Sequence, residues 1–232
     1  MLRRKENDLC MLTPLLDLIF PKKSLSGTEG TWITQTEIRK IENSLVPVLL
    51  TKDYLEERGT KYLDALVAAG SYGDSPLLRK AVHLFKYRRV KGLAPYLAEW
   101  MVDAIPGLLI SPATELPLAP VLCPVPLHWT RRFSRGFNQA ELLAADISAQ
   151  KDWPVMHLLT RVRPTGHQMQ RNREERLTAL DGAFKTTETP VVPAWVILID
   201  DVCTTGSTLS ECAKELRMAG VQWISALVIA ND

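Results

Sequence analysis

Four apolar residues, Val196-Ile197-Leu198-Ile199, run directly into two carboxylates, Asp200 and Asp201, and then into Val202-Cys203-Thr204-Thr205-Gly206-Ser207-Thr208. An apolar run of this length without polar alternation reads as a strand buried on both faces, the usual state of a parallel-sheet strand. Acids at its carboxyl end stand where an open α/β sheet holds its ligand. Thr204, Thr205, Ser207 and Thr208 supply hydroxyls around Gly206, and a helix is predicted from about Thr208 because Leu209, Cys212, Ala213 and Leu216 repeat at i, i+3, i+4 and i+7. Gly220 stands where that helix should stop. Amides leading into a helix start form an anion site. Hydrogen bonds to a charged acceptor contribute about 1.5–3 kcal/mol each, so four or five hold a phosphate at about micromolar affinity after association costs. No Lys follows Gly206 as a Walker loop requires, and no GxGxxG is present. The plainer alternative is a strand–turn–helix unit whose acids face water.

This stretch resembles the signature of type I phosphoribosyltransferases: a hydrophobic strand, two acids, then a Thr-Thr-Gly-x-Thr loop. The resemblance implies that Asp200 and Asp201 contact the ribose 2′ and 3′ hydroxyls of phosphoribosyl pyrophosphate (PRPP), with Mg²⁺ as companion ion. It also implies that Cys203, Thr204, Thr205, Gly206, Ser207 and Thr208 wrap the 5-phosphate. Cys203 departs from the small or acidic residue more usual there. The chemistry is coherent, because vicinal hydroxyls need acceptors and a dianion needs donors.

With 232 residues, the chain has room for one α/β domain and a smaller N-terminal segment. A net charge of +2 implies no general attraction to nucleic acid or membrane, so any such attraction must come from local patches. Cys10, Cys123, Cys203 and Cys212 form no CxxC pair, and His83, His128, His157 and His167 lack ligand spacing. A cytoplasmic, thiol-reduced protein is the expectation. Arg3, Arg4 and Lys5 precede an apolar stretch, but Glu6, Asp8, Pro14 and Asp17 argue against a secretory signal. No run approaches a membrane span, since Ile105 to Leu127 is broken by prolines and Glu115.

Helices are predicted over Asp8 to Phe20 and Thr36 to Leu45, with Thr36 as the cap of the second and Arg39 and Lys40 on its solvent face. Ser75-Pro76 starts another helix with Leu77, Leu78, Ala81, Val82 and Phe85 on one face. Its end is basic, with Lys86, Arg88, Arg89 and Lys91, either open to water beside the helix dipole or turned to phosphate or nucleic acid. A further helix is expected from Leu93 to Ile105. Val121 to Pro126 reads as a short strand ended by prolines, followed by a basic loop to Arg135. Asn138 and Glu141 then form an approximate capping box for a helix with Ala140, Leu143, Ala144 and Ile147 buried.

Here the resemblance narrows. Arg135-Gly136-Phe137-Asn138-Gln139, continuing through Ala144, is similar to the RGFNQ block of the ComF/GntX family, competence and DNA-utilisation proteins related to phosphoribosyltransferases. The block and the acidic strand form a specific pair, and the similarity extends over about residues 60 to 232. The relationship implies that the loop after the first core strand binds pyrophosphate, which here offers Pro124, Val125, Pro126, Leu127, His128, Arg131 and Arg132. A strand is expected within Val155 to Arg161, then a basic loop containing Arg161, Arg163, Gln168, Arg171, Arg173 and Arg176. It is either a disordered surface loop or the family's flexible loop, which closes over PRPP. Gly182-Ala183-Phe184 is expected to return the chain to the sheet, and Trp223 to Ala230 to form a last strand.

The resemblance also implies a cysteine-rich zinc module at the N-terminus, but this chain reads Pro21-Lys22-Lys23-Ser24-Leu25-Ser26-Gly27 there. Hydroxyls do not replace thiolates, so no zinc is expected and no metal ligand is assigned. The expectation is an α/β protein: a phosphoribosyltransferase-like parallel sheet flanked by helices over 61–232, preceded by a mainly helical segment, 1–60. Two functions remain open. One is a PRPP-binding protein, catalytic or not, that displaces pyrophosphate if it is a transferase. The other is a non-catalytic module that keeps the pocket and acts in DNA uptake or use, through partner proteins or single-stranded DNA. Steep salt dependence marks DNA binding.

Overall fold

The computed structural model describes residues 22–73, 75–109, 119–127, 136–163, 180–188 and 191–232. The predicted helix Asp8 to Phe20, and Cys10 within it, lie outside them. Five strands form the main sheet: β1 (Val48–Thr51), β2 (Ala65–Ser71), β3 (Val121–Pro124), β6 (Trp195–Cys203) and β7 (Trp223–Asn231), in spatial order β1-β2-β7-β6-β3. All neighbours run parallel except β1, which pairs antiparallel with β2 at one edge. β4 (Leu159–Arg161) and β5 (Phe184–Thr186) form a separate antiparallel pair.

The helices are α1 (Gln35–Glu42), α2 (Lys52–Glu57), α3 (Pro76–Tyr87), α4 (Ala94–Ala104), α5 (Pro106–Leu109), α6 (Gln139–Lys151) and α7 (Ser207–Met218). Strand periodicity of two divides the core cleanly. Val67, Ala69, Ile197, Ile199, Leu227 and Ile229 point to the face covered by α4 and α6, while Leu66, Ala68, Val196, Leu198, Ala226 and Val228 point to the face carrying α7. Both sets are buried, which is why these strands show no alternation of polarity. The fold is α/β, with a mostly parallel central sheet flanked by helices.

Several local expectations change. The cap of α1 is Thr34, not Thr36: its hydroxyl accepts from the Glu37 N–H while the Glu37 carboxylate accepts from the Thr34 N–H, a full capping box. That helix ends at Glu42, where Asn43 takes the cap. The Gly182-Ala183-Phe184 turn leads into β5, which joins β4 and not the main sheet. β7 is an interior strand between β2 and β6. Residues 48–51, inside the expected N-terminal segment, supply the antiparallel edge of the same sheet. No helix of the described residues is long and apolar enough to cross a membrane.

Ser24 and Ser26, at the place of the absent thiols, turn toward Glu37. The hydroxyls of both donate to Glu37 Oε1, Ser24 at 3.1 Å, as does the Ser26 N–H at 2.5 Å. Burial alone would raise the Glu37 pKa, but the Ser26 hydroxyl and the Thr34 and Ser26 amides overcome it and lower the value to about 2. A carboxylate thus organises this turn, with α1 as its base. Because the folded-state value lies below the ordinary 4.5, the stabilisation is present above about pH 4.5 and is lost as pH falls through about 2. Glu37→Gln is expected to cost about 1–3 kcal/mol at pH 7, with the deficit against the parent shrinking at pH 3. Urea denaturation at the two pH values measures both numbers.

Candidate functional site

Register sets the position of the acids. Asp200 sits opposite Val228 of β7 and one residue beyond Ile199, the partner of Pro124 in β3. β6 therefore carries its two carboxylates to the carboxyl edge of the parallel strands, the ligand edge of such a sheet. The two differ in environment. Asp201 is 4% exposed and Asp200 is partly exposed.

Beyond Cys203, whose carbonyl accepts from the Asp232 N–H at 3.0 Å, the chain turns through Thr204 and Thr205 to Gly206. Gly206 has φ +73°, in the left-handed region that suits glycine, and α7 begins at the next residue. Thr205 and Ser207 share a hydroxyl–hydroxyl bond of 2.9 Å. Among the described residues, the N–H groups of Thr204, Thr205 and Thr208 have no hydrogen-bond acceptor. The Thr208 amide is a first-turn donor, which lacks an internal acceptor by construction, and Thr204 and Thr205 lie in the turn before the helix. They line a small cavity of about 50 Å³ bounded by Asp200 and residues 202–209.

A second cavity, of about 160 Å³, lies beside the acids and is walled by Val125, Pro126 and Leu127, by Asn138 and Gln139, and by Lys86, Arg161, Asp200 and Asp201. Asp200 borders both cavities. The structure therefore brings together, around one crevice, the acidic pair, the Thr-Thr-Gly loop, the Val125 to Leu127 stretch, Asn138 and Gln139 of the RGFNQ block and Arg161; Pro124 lines neither of these two cavities. Arg163 is described but lines neither cavity. His128, Arg131, Arg132 and Arg135 lie outside the described residues, as do Gln168, Arg171, Arg173 and Arg176.

The RGFNQ block works as a clamp. Asn138 caps α6 by accepting from the Ala140 N–H at 3.1 Å, and its amide donates to the Val125 carbonyl at 3.1 Å. Glu141 completes no capping box with it. Gln139 Nε2 donates to the Lys86 carbonyl at 3.3 Å. Phe137 packs against Phe85 with 5.8 Å between ring centroids, and Lys91 Nζ lies 5.3 Å from the Phe137 ring. The block thereby fixes the end of α3 relative to the chain leaving β3.

DNA utilization protein YhgH of Salmonella typhi is 34% identical over 157 residues, which cover 67% of this chain and 66% of that protein, just under two thirds of its length. Competence protein F of Haemophilus influenzae is 32% identical over 171 residues, 72% of this chain and 73% of that protein. The chain belongs to the ComF family. Competence protein ComFC of Bacillus subtilis is also similar, 39% identical over 100 residues, 43% of this chain and 39% of that protein. No family model matches the chain.

Two residues of this ComF-family site escape a reading of the sequence. Lys86, in the basic helix end, places Nζ 2.8 Å from Asp201 Oδ1. Its place in a basic cluster was the visible signal, but the choice between water, phosphate and a carboxylate partner was not. Thr60 carried no signal at all. Its hydroxyl donates to the Thr205 carbonyl at 3.3 Å, and its side chain forms the wall behind Gly206. Cys203, the departure from the usual loop, is 5% exposed. Its pKa is raised to about 12, by burial first and then by the Asp200 charge. At neutral pH it stays a thiol and adds no negative charge to a loop built of donors.

A Cβ on Gly206 would sit 2.4 Å from Thr60 Oγ1. Gly206→Ala is therefore expected to destabilise the fold by about 2 kcal/mol or more, from backbone strain plus overlap. Gly206→Ala with Thr60→Ala relieves the overlap and leaves the strain, so thermal denaturation should show partial recovery of Tm.

Proposed function

We propose that this ComF-family protein binds PRPP or a related ribose phosphate together with Mg²⁺, in support of competence or the use of DNA as a nutrient. The observation that carries the reading is that Asp200 borders both cavities, so a loop of open amides and an acidic crevice meet at one carboxylate. A dianion fits the Thr204 to Thr208 donors, and a vicinal diol fits the acidic pair, which offers acceptors. The names of the relatives, a competence protein and DNA utilization proteins, support the biological setting.

Among the described residues no group of three or more His, Cys, Asp or Glu side chains stands ready for a metal. Mg²⁺ keeps water and ligand oxygens in its shell and takes one or two carboxylates, so its binding requires no such group. We assign the carboxylate role to Asp200, which is partly exposed and borders the crevice. When bound, the ion would neutralise the charge of a diphosphate group.

In a transferase the crevice would serve displacement of pyrophosphate from the anomeric carbon by a nucleophilic atom of an acceptor, which bonds to that carbon as its C–O bond to the diphosphate breaks and the diphosphate keeps the electron pair. Asp200 and Asp201 orient the ribose, the Thr204 to Thr208 loop anchors the 5-phosphate, and Pro124 to Leu127 with Arg161 border the leaving diphosphate. Arg131, Arg132 and the rest of the 161–176 segment are proposed to add cations and to exclude water as pyrophosphate leaves.

A DNA-backbone reading of the basic helix end is weakened by one observation, the engagement of Lys86 by Asp201. Steep weakening with salt would favour DNA.

Calorimetric titration with PRPP and Mg²⁺ tests the proposal. The parent should bind, and Asp200→Asn with Asp201→Asn should lose at least roughly tenfold in affinity, the loss of about one charge-assisted contact. Equal affinity in the two proteins overturns the assignment of the acids.

A further inference from the structure

We propose that Lys86 is an anion ligand of this crevice, taking the diphosphate end of the ribose phosphate, with Asp201 as the carboxylate that positions it. The inference rests on the PRPP reading above and adds a residue to it.

Helix α3 seats itself through Leu78, Ala81, Val82 and Phe85, all buried, and Lys86 follows in its last turn. The main-chain carbonyl of Lys86 is bonded by Gln139, so the backbone is tied to the RGFNQ clamp. Its stem runs inward, leaving the side chain 22% exposed, and the ammonium lies 2.8 Å from Asp201 Oδ1, in a carboxylate 6% exposed. That same oxygen accepts the Val202 N–H at 2.8 Å. A carboxylate so buried needs a cation, and among the described residues Lys86 is the one paired with it.

The pairing leaves capacity to spare. An ammonium has three hydrogens in a compact, mobile head. Asp201 takes one, and among the described residues no second acceptor is bonded to Nζ. Lys86 also walls the cavity that Pro126 and Leu127 wall from the other side. Thr204 and Thr208 of the amide loop line that cavity as well, and the loop's own small cavity adjoins it at Asp200. A ribose anchored by its 5-phosphate in that loop directs a diphosphate at its other end away from the loop and toward Lys86. Burial disfavours the charged form of Lys86, but attraction to Asp201 and the hydrogen bond Lys86 donates to it, with Asp200 adding, raise its pKa above the ordinary value. The group is a fixed cation at neutral pH. Asp201 then has a second duty that Asp200 lacks: besides facing the ribose with Asp200, it holds the lysine.

The test uses calorimetry and thermal denaturation on the full chain, with PRPP plus Mg²⁺, inorganic pyrophosphate plus Mg²⁺, and ribose 5-phosphate as probes. Lys86→Met should weaken PRPP and pyrophosphate at least roughly tenfold, as loss of a charge-assisted contact does, and leave ribose 5-phosphate within about twofold. Lys86→Arg should keep most of the affinity. Lys86→Met also strands Asp201 and should lower Tm. Lys86→Met with Asp201→Asn should recover that Tm without recovering pyrophosphate affinity. Unchanged pyrophosphate affinity in Lys86→Met overturns the role of Lys86 while leaving PRPP binding standing. Equal losses for all three probes, or pyrophosphate affinity restored along with Tm, reduce Lys86 to a structural residue and overturn the proposal. Absence of PRPP binding by the parent protein removes the underlying reading and this one together.

Discussion

A carboxylate closed in at the end of a strand with protein on both sides cannot remain there alone. Asp201 meets this constraint through Lys86, and the rest of the site follows from that pairing. It fixes the end of α3 against β6. The Gln139 amide then reaches the Lys86 carbonyl, Phe137 stacks on Phe85, and Asn138 reaches back to the Val125 carbonyl. Removing the cation leaves a desolvated charge, and the surrounding geometry has been built on its neutralisation.

The parts legible in the sequence are those governed by near neighbours. β6 announces itself by four apolar residues, α7 by a stripe at helical spacing that is buried as expected, and the cap of α3 by Ser75-Pro76, whose hydroxyl accepts from the Leu78 N–H at 3.3 Å. β1 and α2 carry no such pattern: a four-residue edge strand is half-exposed and needs only a partner, which β2 supplies. The cap of α1 was displaced by two residues because two threonines compete, and the glutamate three residues beyond Thr34 decides between them.

What could not be read depends on contacts between distant positions. Lys86 and Asp201 lie 115 residues apart, and Thr60 and Thr205 lie 145 apart. No local spacing encodes such pairs. The acids, the glycine and the hydroxyls are written in one stretch, so the cradle is visible in one dimension. The lysine that neutralises one acid and the threonine behind the glycine come from elsewhere and are visible only in three. The serines near the N-terminus are a similar case. They resemble failed metal ligands in the sequence, and in the fold they are donors to Glu37.

β7 follows β6 in the chain yet lies between β2 and β6 in space. A nascent polypeptide leaving the ribosome can therefore match β3 with β6 but cannot join β2 to either. Two unsatisfied sheet edges wait for the strand emitted after them, and long-range parallel pairing of this kind is slow to form and open to wrong partners meanwhile. The wall supplied by Thr60 belongs to the waiting half, so the amide loop acquires its backing only when β7 has closed the gap.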